Sequence, residues 1–258
     1  MSRNLLLVLD VGNTNTVLGL YRGEELVFHW RVSTRIERTA DELGLLADAL
    51  LRERGLSREV VGAVAIASVV PPLQGALEAM AREHFGVEPL VVGPGTRTGV
   101  PILYDSPREV GADRVVNAVA GYHKYGGPLI VVDFGTAITF DAISAEGAYL
   151  GGAIAPGMVI SLEALFERAA RLPRVELSRP KTVIGKNTVH SVQAGMAVGF
   201  RGLVREVVGA MRAELGGRAL AVATGGEAQM FADFADLIDR WDPYLTLDGL
   251  RLVWESNA

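Results

Sequence analysis

Two aspartates in this sequence close apolar runs and stand two residues before a glycine. LLLVLDVGNTN, residues 5–15, brings five apolar residues up to Asp10 and Gly12. LIVVDFGTAITFD, residues 129–141, brings four up to Asp133 and Gly135. Burying a carboxylate is costly unless something compensates it, and α/β sheets place their ligands at the carboxyl ends of strands. Glycine lets the backbone turn tightly and aim N–H groups at an anion. Asn13, Thr14 and Asn15 add neutral donors in the first copy and Thr136 in the second. An aspartate repels phosphate, so its use beside one is to hold a cation, or water around a cation, that bridges to the phosphate. The chemistry these residue types fit is the handling of a polyphosphate. Either motif alone is also an ordinary turn, since Asp and Gly are common there; two copies in matching contexts weigh against that. A third turn, ATGGE at 223–227, leaves room for a flat group such as a base or ribose, although a Gly pair also simply opens helices.

The elements that must position these turns follow from the pattern around them. With 258 residues, 49% of them hydrophobic, the chain has enough apolar surface for one large domain or two ordinary ones. After the first turn, TVLGLYRG and ELVFHWRV read as strands with Gly23 between them. Thr39 caps a helix bearing Leu43, Leu46, Ala47 and Leu50 on one face, and VGAVAIASVV is a buried strand stopped by Pro71 and Pro72. A helix through LQGALEAMAREHF and a short strand PLVVG come next. Residues 93–111 form a long irregular stretch, and such stretches are often functional. A helix starts near Asp113. The second half then restarts as strand, turn, strand, the strand GAYLGGAIA and a helix from about Val159. A long helix over roughly 188–215, the strand ALAVA and a helix QMFADFADLI follow. The order strand–Asp–x–Gly–strand–hairpin–strand–helix thus occurs twice, offset by 123 residues. The expectation is an α/β chain of two similar domains, 1–114 and 115–258, with the last helix free to pack back on the first.

Several functions are disfavoured. A net charge of −5 argues against a phosphate-dominated nucleic-acid surface, and the absence of cysteine excludes disulfides and thiolate chemistry. MSRNLLLVLD lacks the long apolar region of a secretory signal, and no window reaches the roughly 18 apolar residues of a membrane span. The expectation is a soluble, cytoplasmic protein that binds neither nucleic acid nor membrane. Four histidines show no metal-ligand spacing. Trp30, Trp241 and Trp254 read as packing residues.

Two Asp-x-Gly turns and a Gly-Gly turn resemble the superfamily of acetate and sugar kinases, heat-shock chaperone ATPases and actin. That resemblance implies two duplicated actin-like (ribonuclease H-like) domains with ATP in the cleft between them. The middle of the chain is more specific. VGPGTRTGVPILYDSPREVGADRVVNAVAGY running into LIVVDFGTAITFD resembles the type III pantothenate kinases, as do SVVPP (68–72), GGAIAPGM (151–158), LPRVEL (172–177) and VIGKNTVHSVQAG (183–195). The resemblance implies ATP-dependent phosphorylation of pantothenate to 4′-phosphopantothenate, the first step toward coenzyme A. It further implies a homodimer, Mg²⁺, and a monovalent cation, K⁺ or NH₄⁺. It makes Asp113 the general base and gives pantothenate to Tyr104, Gly111, Ala112, Asp113, Arg114 and Thr188. ATP goes to Asp10, Val11, Gly12, Asn13, Thr14, Asn15, Thr16, Val17 and Thr136. Asp133 holds the monovalent cation, and Asp10 holds Mg²⁺ directly or through water.

The same residues have plain structural readings. Asp113 and Thr188 could each cap a helix, Tyr104 could be a packed loop aromatic, and Asp133 a turn residue. The stripe Val192, Met196, Phe200, Leu203, Val207 and Met211 could be core or a dimer seam. The family commonly has a threonine at the position of Ile138, a change expected to affect packing only. It has an acidic residue at that of His190, two residues from Thr188, where substrate affinity could change.

Overall fold

The computed structural model of the chain describes residues 4–169, 172–226 and 236–258, which fall into two compact units, Met1–His123 with Tyr244–Ala258, and Lys124–Pro243. In chain order the elements are β1 (Leu5–Val11), β2 (Asn15–Arg22), β3 (Glu25–Ser33), α1 (Ala40–Glu53), β4 (Val61–Ser68), α2 (Gln74–Met80), β5 (Leu90–Val91) and α3 (Ala112–Tyr125). There follow β6 (Leu129–Phe134), β7 (Ala137–Ile143), β8 (Tyr149–Pro156), α4 (Met158–Arg168), α5 (Thr188–Glu214), β9 (Leu220–Thr224), β10 (Arg240–Trp241) and α6 (Leu245–Glu255).

The first unit's sheet has the order β3-β2-β1-β4-β5, and the second's, read from its other edge, is β8-β7-β6-β9-β10. In each, the central strand runs antiparallel to the next strand in sequence and parallel to the one reached by a crossover: β1 with β2 and β4, β6 with β7 and β9. The two sheets are copies of one α/β plan, as the repeated motif requires. Leu5 to Leu9 are all buried, which is why this strand reads as an unbroken apolar run rather than an alternating one.

Local signals explain the helices that brace the sheets. The Thr39 side chain accepts from the Glu42 N–H at 3.3 Å while Glu42 Oε2 accepts from the Thr39 N–H at 2.8 Å, a complete capping box for α1. That helix buries Ala47 and Leu51 in a core shared with Leu7, Leu20, Ile66 and Phe85. In the second unit Phe200, Val204 and Val208 of α5 are buried beside Ile130, Val132, Ile138 and Phe140 of the sheet, and Met196, Leu203, Val207 and Met211 pack around them. The α5 stripe is therefore core along most of its length, and Ile138 is a fully buried packing residue.

The C-terminal helix α6 belongs to the first unit. Tyr21 Oη donates to Asp248 Oδ1 at 2.6 Å, Thr246 Oγ1 donates to Asn117 Oδ1 at 2.8 Å, and a Cβ on Gly249 would overlap the Val116 carbonyl, so α6 lies directly on α3. These contacts hold α3 in the first unit. The division falls in its last turn, after His123; the sequence expectation placed it at 114. Trp30 is buried, but Trp241 is 43% exposed because β10 is a two-residue edge strand, which corrects its reading as a packing residue. Residues 229–235 of the expected helix QMFADFADLI lie outside the described residues, and 236–237 form a turn. Among the described residues no helix is long and apolar enough to cross a membrane.

Candidate active site

Asp10 is the penultimate residue of β1, half-buried between Val17 of β2 and Ala67 of β4. The turn after it is closed by the Gly12 N–H, which donates to the Asn15 carbonyl at 3.0 Å. Thr34, just beyond β3, holds the turn from the side. Its N–H donates to the Thr14 carbonyl at 2.9 Å, its hydroxyl donates to the Gly12 carbonyl at 2.7 Å, and the same oxygen lies 2.9 Å from Thr16 Oγ1. Asn13 and Thr14 are exposed at the tip. Neither Gly12 nor Gly135 has a positive φ, so left-handed freedom is not what these glycines supply. At Gly12 the need is space, since a Cβ would lie 3.1 Å from the Asn15 carbonyl oxygen.

In the second unit Asp133 is the penultimate residue of β6, half-buried between Thr139 of β7 and Thr224 of β9. The Gly135 N–H donates to the Ala137 carbonyl at 3.0 Å, and the Gly157 N–H donates to the Thr136 carbonyl at 3.0 Å, so the start of α4 braces this turn. The Gly-Gly turn packs on the aspartate itself. Gly225 has φ +97°, and a Cβ there would press on the Phe134 carbonyl and lie 2.5 Å from Asp133 Oδ1.

Helix α3 begins at Ala112, so Asp113 sits in its first turn rather than at its cap. Asp113 Oδ1 accepts from the Arg114 N–H at 2.8 Å, and the carboxylate folds back over Gly111, where a Cβ would lie 2.5 Å from that oxygen. Burial pushes the Asp113 carboxyl above the ordinary aspartate value, outweighing the downward pull of the Arg114 N–H and guanidinium. Arg114 is 7% exposed. Tyr104 is half-buried in the irregular stretch before the helix. That stretch is tied to the chain's end: the Arg97 N–H donates to Asn257 Oδ1 at 3.1 Å, and Asn257 Nδ2 donates to the Arg97 carbonyl at 2.7 Å.

Thr188 is exposed and is the first residue of α5, not its cap. The cap is Asn187, whose side chain accepts from the His190 N–H at 2.9 Å. Thr188, Lys186, Val192 and Met196 line an open groove of about 630 Å³ in the second unit.

Three polar arrangements escaped the sequence reading. Thr34 is one. Asp141, fully buried on β7, accepts from Tyr149 Oη at 2.8 Å and from Thr139 Oγ1 at 3.2 Å. Asp242, also buried, holds Lys124 Nζ and Tyr125 Oη, while its N–H donates to the Ala223 carbonyl at 2.8 Å. No local pattern marks any of them, because the deciding partners are distant in sequence or on another strand.

Among the described residues no group of three or more His, Cys, Asp or Glu converges as a metal cage. Each turn instead offers one half-buried carboxylate. A lone carboxylate suits Mg²⁺, which keeps several waters and shares phosphate oxygens. The Asp133 carboxylate, on a strand whose register partners at that position are Thr139 and Thr224, offers an oxygen ligand of the kind hard cations take.

Comparison with known proteins extends this picture over the whole chain. Residues 6–210 match the family model of type III pantothenate kinase. A type III pantothenate kinase from Geobacter sulfurreducens is 57% identical over 98% of this chain and 99% of its own length. In solved structures, a Campylobacter jejuni protein assigned to the Baf family of transcriptional activators aligns with TM-score 0.61 at 20% identity, over 97% of this chain and 98% of its own. A Listeria monocytogenes protein assigned as an N-acetylmannosamine kinase aligns with TM-score 0.56 at 11% identity, over 98% and 100%. At these identities the two structural likenesses speak to the fold alone.

Proposed function

The chain belongs to the type III pantothenate kinase family, and from that premise we propose which residues carry out the transfer of the γ-phosphoryl group of ATP to the primary hydroxyl of pantothenate. The chain is a kinase serving coenzyme A synthesis, with pantothenate and ATP as substrates and a divalent metal as helper. The observation that carries the residue assignment is the start of α3, where the Asp113 carboxylate and the buried Arg114 share one helical turn.

Arg114 offers a rigid fork that a carboxylate accepts bidentately, which suits the acid end of pantothenate. Asp113 takes the proton of the primary hydroxyl as its oxygen bonds to the γ-phosphorus and the bond to the departing ADP breaks. Tyr104, Gly111, Ala112 and Thr188 line the acceptor's site. Residues 10–17 and Thr136 form the ATP site, with the turn's N–H groups and short polar side chains taking the phosphates. Mg²⁺ supplies neutralisation of charge on the phosphates, with Asp10 as its protein ligand, direct or through water. Because the transition state is loose, placement and charge count for more than proton removal.

Asp133 holds the monovalent cation, K⁺ or NH₄⁺. A homodimer is the proposed assembly, and exposed apolar side chains such as Leu45, Leu103, Ile184 and Val198 are available to it. The cytoplasm, where ATP and pantothenate meet, is the proposed compartment.

The cation assignment has a direct test. ADP release in the presence of pantothenate rises saturably with K⁺ and stays low in Na⁺, and Asp133→Asn needs more K⁺ for half-maximal rate. Equal rates in both salts, or an unchanged K⁺ requirement in the variant, would remove Asp133 from this role.

A further inference from the structure

We propose that Thr34 is a positioning residue for the phosphate-binding turn, a role that rests on the reading of residues 10–17 as the ATP site. A trans peptide is planar, so a carbonyl and the N–H that follows it point in opposite directions. Thr34 draws the Gly12 carbonyl to its hydroxyl and the Thr14 carbonyl to its N–H, at 2.7 and 2.9 Å. The N–H groups of Asn13 and Asn15 belong to those same two peptide planes, and they are turned to the opposite side. With the Gly12 N–H already closing the turn on Asn15, these two amides become the turn's outward donors, on the tip where Asn13 is exposed. Two backbone donors on one side of a tight turn form the kind of concavity that holds phosphate oxygens. The hydroxyl of Thr34 fixes one plane and its backbone fixes the other, so a change confined to the side chain frees only the Asn13 amide. Thr16 Oγ1, 2.9 Å from the Thr34 hydroxyl, completes the brace.

Steady-state kinetics of the full chain separate this role from a general structural one. Thr34→Val keeps the side-chain shape and the backbone bond but loses the hydroxyl. It raises KM for ATP about fivefold to tenfold, the scale of one lost neutral hydrogen bond, leaves KM for pantothenate within about twofold, and Thr34→Ser restores the parent value. Gly12→Val, measured beside them, reports on the underlying reading because it disturbs the turn itself. If Gly12→Val raises KM for ATP while Thr34→Val does not, the turn binds nucleotide and Thr34 has no part in it. If neither does, the turn is not the ATP site and the proposal falls with that reading. Equal rises in both KM values for Thr34→Val, or a Ser variant no better than Val, would also overturn it.

Discussion

Asp113→Asn lowers kcat by about 10²- to 10⁴-fold, the usual contribution of a positioned general base, and leaves the fold intact. Asn keeps the oxygen that accepts from the Arg114 N–H at 2.8 Å, so the first turn of α3 retains its local bond while the charge and the ability to take a proton are lost. The pH profile carries the same assignment. Burial raises the carboxyl above the reference value of 3.8, so the acid limb of kcat/KM for pantothenate lies above that pH in the parent and flattens in the variant. Stability runs the other way. A carboxyl whose folded value is raised favours the native state while protonated, below the unfolded value, and that benefit is lost as pH rises through the folded value. Above the folded value the native chain carries a buried charge that Asn removes, and there Asp113→Asn melts no lower than the parent. Activity, a pH series and a melting curve on one preparation check all three; full activity in the variant would take the base role from Asp113.

Gly225→Ala is the second large effect. At φ +97° an L side chain is strained, and the added Cβ meets the Phe134 carbonyl and Asp133 Oδ1. The Phe134 backbone cannot yield without moving the second turn, and the Asp133 carboxylate, a proposed cation ligand, would have to turn away. Displacement of about 1 Å at a site of this kind costs on the order of 10²-fold, and that loss in kcat/KM is expected together with a lower melting temperature. Increased K⁺ does not rescue the rate if the turn itself has moved. An alanine variant with parental kcat/KM would show that the Gly-Gly turn does not set the geometry at Asp133.

The sequence announced the parts of this molecule that depend on near neighbours. Asp10-x-Gly12 and Asp133-x-Gly135 lie where the apolar runs place them, at the ends of matching central strands. Thr39 caps α1 because its partner Glu42 is three residues away. What failed turned on choices between adjacent residues or on distant partners. Asn187 and Thr188 are both good caps, and backbone direction rather than residue type decided for Asn187. Asp113 looked like a cap from its position before an apolar helix, but α3 starts one residue earlier. The docking of α6 depends on Gly249 meeting Val116 and on Asp248 meeting Tyr21. Thr34 escaped notice because its bonds run to the turn between two other strands.

The most direct test of the whole account is steady-state ADP release by the purified chain with Mg²⁺, K⁺ and ATP, given pantothenate, glycerate, acetate or glucose in parallel. Turnover with pantothenate and background rates with the other three are the predicted result. Turnover on glucose without turnover on pantothenate, or no turnover on any acceptor, would contradict it.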